Sequence, residues 1–189
     1  MNRLFYPVDE DLLRTRTIYF ELIKPSDALF LFELRQNSNL NPFLSTVTGT
    51  VDDQTRWIEA YQIRENLGLE YYFIIKRIDN NEAIGTVRLY DFIEQPDSFS
   101  WGSWILNEHK TTSSALESML LIYQFAFEHL NFEHAHFEVM KENLKVIQFH
   151  QKYGANFTNE DEHYLYFDFT AALFQQTKQQ YAKFMKAKL

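Results

Sequence analysis

Between positions 111 and 130 the chain places Leu116, Met119, Leu120, Tyr123, Phe127 and Leu130 at helical spacing. Apolar residues recurring every three to four positions predict a helix with a wide apolar stripe. Such a helix draws most of its stability from laying that stripe on a partner. The partner is at hand: 98–106, rich in aromatics, and 135–140 both read as strands on either side of it. Strand, helix and strand in succession predict a crossover unit, and so a sheet with a helix over one face.

The remaining segments extend that plan. Residues 16–23 read as a strand, and Lys24-Pro25-Ser26-Asp27 as the start of a helix to about 36 carrying Leu29, Phe32 and Leu34 inward. After a polar loop at 37–49, Asp52 and Asp53 open a second helix with Trp57, Ile58, Tyr61 and Ile63, which Gly68 ends. Strands follow at 71–76 and 83–92, with an Asp79-Asn80-Asn81 turn between them. A helix at 143–153, a small strand near 155–157, a strand at 162–170 and a last helix at 171–188 complete the chain. The order β-α-α-β-β-β-α-β-α-β predicts an α/β (α+β) class: a mixed, mostly antiparallel sheet with helices on both faces.

Composition narrows the function classes. The 189 residues suit one domain spanning 1–189, with no repeat or linker-like tract to divide it. No apolar run approaches the roughly 20 residues a membrane span needs, so no membrane role is expected. Residues 1–10 lack a basic and then apolar leader, so no secretory signal is expected there. Zero cysteines exclude disulfides and thiol chemistry and fit a cytoplasmic protein. A formal charge of −8 argues against wrapping nucleic acid.

From Glu142 to Ala155 the motif is denser. Asn143 opens a short helix, Val146, Ile147 and Phe149 form its stripe, and Gly154 closes it before a new strand. Ahead of the long helix stands Lys110-Thr111-Thr112-Ser113-Ser114-Ala115. Together with the element order, these two segments resemble the GNAT family of N-acetyltransferases, over roughly 16–170, leaving the helix at 171–188 as an addition. The resemblance implies acetyl-CoA as co-substrate. It implies that residues 110–115 cradle the pyrophosphate, although Ser113 stands where the family has glycine. Ser113 adds a Cβ where glycine would permit positive φ; the hydroxyls of Thr111, Thr112, Ser113 and Ser114 are expected to compensate as donors to phosphate. Read without the resemblance, the same hydroxyls cap a helix.

Further roles come from the same likeness. Backbone N–H groups near Ile105 and Leu106 would polarise the thioester carbonyl and pair with the cofactor arm. Asn143 would hold that arm, or act only as an N-cap; Phe149 would pack on cofactor or core. His150 replaces the family's tyrosine beside the sulfur. With an ordinary pKa near 6.5 it would protonate the departing thiolate; otherwise it is a surface histidine on an amphipathic helix. For the base, Glu138 lies on the strand face opposite Phe137 and Val139, with Asp91 and Glu108 as further carboxylates. His109, His134 and His136 lack convincing ligand spacing, so no metal is expected.

Segment 34–45, with Trp57, residues 85–91 and residues 101–104, is similar to a subgroup associated with surface-polysaccharide amino sugars. That likeness implies a small-molecule amine acceptor met by Arg35, Asn39, Arg88 and Trp104. A protein N-terminus as acceptor, or a non-catalytic module with a defective turn, are the alternatives. Assembly as a homodimer is compatible with all three.

Overall fold

A computed structural model describes residues 13–40, 42–43 and 48–185. Seven strands form one sheet in the order β1-β2-β3-β4-β5-β7-β6. They are β1 (Ile18–Leu22), β2 (Tyr71–Arg77), β3 (Ala83–Glu94), β4 (Asp97–Leu106), β5 (His134–Met140), β6 (Asn156–Glu160) and β7 (Tyr164–Thr170). All neighbours run antiparallel except β4 and β5. The helices are α1 (Ala28–Gln36), α2 (Val51–Asn66), α3 (Ser114–Gln124), α4 (Leu144–Lys152), α5 (Ala171–Gln180) and α6 (Ala182–Met185).

Strand β2 shows why the fold has two layers of cover. Its run Tyr71–Ile75 is buried at every position, so both of its faces are dry. Tyr71, Phe73 and Ile75 join the main core, which α3 and α5 close with Leu120, Tyr123 and Phe174. Tyr72 and Ile74 face the other way, against Leu31 of α1 and Ile58 and Tyr61 of α2. A strand covered on both faces reads as an unbroken apolar run rather than an alternation. Each fully buried Phe or Ile here contributes about 2 kcal/mol relative to exposure.

Several elements depart from the sequence-based expectation. Residues Pro25–Asp27 form a 3-10 turn, and α1 begins only at Ala28. Its inward residues are Ala28, Leu31 and Leu34, whereas Leu29 is exposed. On α2 the inward set is Gln54, Ile58, Tyr61 and Glu65, and Ile63 faces solvent. Glu65 is tolerated inside because the Tyr61 hydroxyl donates to it. Thr50 and Asp53 cap α2 reciprocally, so this helix starts where its capping box dictates. The long predicted helix is α3 continued by a π-helical turn over Phe125–His129.

Strand β4 carries two irregularities. Thr86 pairs with Ile105 and Arg88 with Gly102, so two steps on β3 oppose three on β4. The extra residue makes a bulge, and Ser103 within it takes a left-handed φ of 47°. Just beyond, Gly85 is obligatory: a Cβ there would lie 2.1 Å from the Ile105 carbonyl oxygen. Meanwhile β4 and β5 pair only at Ser98↔His134 and Phe99↔Ala135. Past those two rungs the parallel strands diverge, and β4 presents a stretch of backbone without a strand partner on that side.

Candidate active site

That divergence opens a cleft of about 730 Å³. One wall is Trp101–Trp104 of β4 and another is Phe137–Met140 of β5. The start of α4 from Asn143 to Val146 closes one end, and Asn39, Leu40, Pro42 and Phe43 approach from the loop after α1. Asn41, Leu44 and Ser45 of that expected acceptor wall lie outside the described residues. Tyr90 and Tyr164 complete the lining.

His150 enters the cleft from α4 and is only 5% exposed, which excludes the surface reading. It is packed among aromatic rings, with centroids 4.4 Å from Phe137 and 5.3 Å from Trp101. Burial pushes its pKa down to about 3, because an imidazolium would lose hydration among these rings. The expectation that it titrates near working pH is therefore corrected: burial keeps the His150 imidazole neutral at pH 7. Glu138, by contrast, is exposed, projects from the β5 face opposite Phe137 and Val139, and lines the cleft. The Tyr90 phenol beside it is held above its ordinary pKa, chiefly by burial and secondarily by Glu138, so it stays protonated.

Ile105 and Leu106 sit beyond the bulge, between it and the turn before α3, with Ile105 buried. The β4 backbone in the cleft is that of Gly102, Ser103 and Trp104 instead. Gly102 leaves room there for the Tyr90 side chain, since a Cβ would come 2.9 Å from its hydroxyl. Trp104 faces the cleft while donating its ring N–H to Ser118 Oγ at 3.0 Å. Phe149 packs on Trp104 at 5.1 Å and on the main core. Asn143 caps α4 by a long bond, 3.4 Å from Val146 N–H, and also lines the cleft. Both readings of Asn143 thus survive.

The turn before α3 departs from expectation in an informative way. Ser113 is its N-cap, with φ −105°, so the position does not require glycine. Three of the four hydroxyls expected to face phosphate are turned inward. Ser113 Oγ donates to Glu117, Thr111 Oγ1 lies 2.7 Å from Thr17 Oγ1, and Ser114 Oγ lies 2.8 Å from Thr111 Oγ1. Only Thr112 is both exposed and without a hydroxyl partner among the described residues. The first-turn N–H groups of a helix generally lack an intrahelical acceptor, and with the helix dipole they suit a phosphate; here the Ser114 N–H is taken by the Thr111 carbonyl at 3.2 Å. Lys110, also exposed, stands beside them. Glu117 was not legible as part of this site; the only signal was one acidic residue in an otherwise apolar helix.

The expected acceptor arginines fare less well. Arg88 is tied to the buried Glu70, which also takes Arg64, and its guanidinium lies over the Trp57 and Tyr90 rings. A guanidinium committed to a carboxylate is not a ready diphosphate clamp; Arg88 instead stiffens the wall that carries Tyr90. Arg35 is in the last turn of α1, near enough for its charge to act on the Tyr72 phenol, and is outside the cleft lining. Asn39 does line the cleft. Of the histidines, His134 bonds Asp168 at 2.9 Å, while His136 bridges Ser98 at 2.9 Å and Asp91 at 3.1 Å. These pairings staple strands together and engage Asp91 with His136.

Residues 17–156 match the family model of the acetyltransferase (GNAT) domain. A solved structure described as apo FdhC, a nucleotide-linked sugar GNAT, is 50% identical, superposes with a TM-score of 0.87, and covers 92% of this chain and 98% of its own. The probable N-acetyltransferase YjcK of Bacillus subtilis is 26% identical over 149 residues, 76% of this chain and 82% of YjcK. Spermidine N-acetyltransferase from Vibrio cholerae, solved with CoA and spermine, shares the fold at 17% identity and a TM-score of 0.71, covering 84% of this chain and 98% of its own.

Proposed function

The chain belongs to the GNAT family of acetyl-CoA-dependent N-acetyltransferases, and from that premise we propose that its acceptor is the amino group of a nucleotide-linked amino sugar. The observation that carries this reading is the cleft itself: a β4 edge unpaired on one side, six aromatic side chains (Phe43, Tyr90, Trp101, Trp104, Phe137 and Tyr164) and a carboxylate, Glu138, in one concave site. Aromatic faces suit sugar rings and bases. A carboxylate suits an amine that arrives protonated and must lose a proton to react. The 50% identity to a nucleotide-linked sugar GNAT supports the same acceptor class.

Acetyl-CoA supplies the activated acyl group. The chain's own residues do the rest. Glu138 takes one proton from the ammonium and passes it to solvent, which frees the nitrogen to attack, and takes the second as that nitrogen bonds to the acyl carbon. Backbone N–H groups of Ser103 and Trp104, the bulge residues without a β3 partner, donate to the acyl oxygen. The neutral His150 N–H donates a hydrogen bond to the sulfur as the C–S bond breaks; the amine proton leaves through Glu138 to solvent. Lys110 and the first-turn N–H groups of α3 hold the pyrophosphate. The inward Ser113 side chain leaves that turn unobstructed, which speaks against a defective binding module.

Titration calorimetry with acetyl-CoA, then initial rates with amino-sugar nucleotides, spermidine and N-terminal peptides, tests the reading. Micromolar cofactor binding and the highest kcat/KM on an amino-sugar nucleotide are expected. Preference for the polyamine or the peptide would reject the sugar acceptor.

A further inference from the structure

The carboxylate of Glu117 is fully buried beneath the turn before α3. Among the described residues no cation pairs with it. Four donors do. Oε2 accepts from Thr15 Oγ1 at 2.6 Å and from Thr17 N–H at 2.7 Å; Oε1 accepts from Thr17 Oγ1 at 2.9 Å and from Ser113 Oγ. A buried carboxylate without a counter-ion is costly unless its lone pairs are filled, and here they are.

Because a carboxylate only accepts, it fixes the direction of everything attached to it. The Thr17 proton is committed to Glu117. At the 2.7 Å contact between Thr17 and Thr111, Thr111 must then be the donor. At the 2.8 Å contact between Thr111 and Ser114, Ser114 must in turn be the donor, while its oxygen accepts the Thr111 N–H at 2.9 Å. One chain results, Ser114 to Thr111 to Thr17 to Glu117, with Ser113 joining at its end. All of these protons point inward, and two β1-proximal residues are tied to the turn across about 100 positions of sequence.

We infer that Glu117 is a positioning residue for coenzyme A: by terminating this hydroxyl chain it holds the Thr111, Ser113 and Ser114 hydroxyls inward, so that the first-turn N–H groups of α3 that remain unbonded face the pyrophosphate. The inference rests on the reading that this turn is the pyrophosphate site. It also gives the serine at 113 a use, as a donor to Glu117 that glycine could not supply. Replacing Glu117 by glutamine brings an NH2 donor among groups that are themselves donors, so the chain loses its terminus.

The test compares CoA with pantetheine, which lacks the nucleotide and pyrophosphate. Dissociation constants are measured by calorimetry for the unaltered chain, Lys110→Ala, Thr17→Val and Glu117→Gln, with thermal melts alongside. The unaltered chain should favour CoA, and Lys110→Ala should erode that preference; equal affinities, or no effect of Lys110→Ala, would reject the turn as the pyrophosphate site before Glu117 is considered. Given that preference, Glu117→Gln should weaken CoA binding about tenfold, or about 1.4 kcal/mol. Pantetheine affinity and kcat at saturating acetyl-CoA should stay unchanged. Thr17→Val, which removes only the middle of the chain, should lose about threefold in the same selective manner. Unchanged or tighter CoA binding in folded Glu117→Gln overturns the inference. Should Glu117→Gln not fold, an unchanged preference in Thr17→Val overturns it instead.

Discussion

The turn before α3 and the cleft between β4 and β5 serve one reaction but are built on opposite principles. At the turn three of four side-chain hydroxyls have been given a partner, down to a buried carboxylate with four donors. In the cleft the partners have been withheld: two rungs join β4 to β5 and then the ladder stops. A site that grips a charged group profits from rigid, pre-directed dipoles. A site that admits an extended arm and an acceptor needs unmade hydrogen bonds and apolar walls. The difference teaches that an unpaired sheet edge is tolerated where the surrounding sheet is anchored firmly on its other side.

The most damaging way to break that arrangement is to disturb the anchor. Gly85→Ala would drive a Cβ into the Ile105 carbonyl across the β3–β4 ladder. A loss of about 3 kcal/mol or more is expected, as for other severe overpacking at a backbone contact, visible as a lower urea midpoint. Next comes the cleft carboxylate. Glu138→Gln should lower kcat about 100-fold with little change in the KM for acetyl-CoA, since the base touches only the acceptor. Retention of full kcat would remove Glu138 from the mechanism.

A third experiment contrasts dry and wet parts of the cleft. Folding depresses the His150 pKa to about 3, while the unfolded chain keeps the ordinary value. Between those values the unfolded chain binds a proton that the folded chain refuses. Stability is therefore whole above about pH 6.5 and falls as pH drops below it, by about 1.4 kcal/mol per unit, or about 2 kcal/mol by pH 5. Urea unfolding at pH 7 and pH 5 should show that slope in the unaltered chain and a much smaller one in His150→Phe. The smallest effect belongs to the exposed lysine at the turn: Lys110→Ala should weaken acetyl-CoA by a few-fold, about 0.5–1 kcal/mol, with a shallower salt dependence.

Much of the fold was legible because periodicity survives packing. The apolar run at Tyr71–Ile75 and the stripe from Leu116 to Leu130 occupy the core positions that their spacing implies. The missed stripe of α1 has a physical cause: in Ala28–Gln36 nearly every early residue is apolar, so spacing alone does not choose between Leu29 and Leu31. The site was legible in its parts and not in its states. His150 and Glu138 were identifiable as candidate groups, yet which was dry and which was wet depended on neighbours far away in sequence. Arg88 looks available for a diphosphate in the sequence, but Glu70, 18 residues away, holds it.

By itself the chain's order of residues determined the strands, the main helices and the succession that identifies a mixed sheet, because those depend on contacts between near neighbours and on period. Tertiary structure alone decided the bulge at Ser103, the divergence of β4 from β5, the low pKa of His150 and the inward chain ending on Glu117. Each of these is a property of groups brought together from distant segments, where burial and the direction of a hydrogen bond are set by whatever stands opposite.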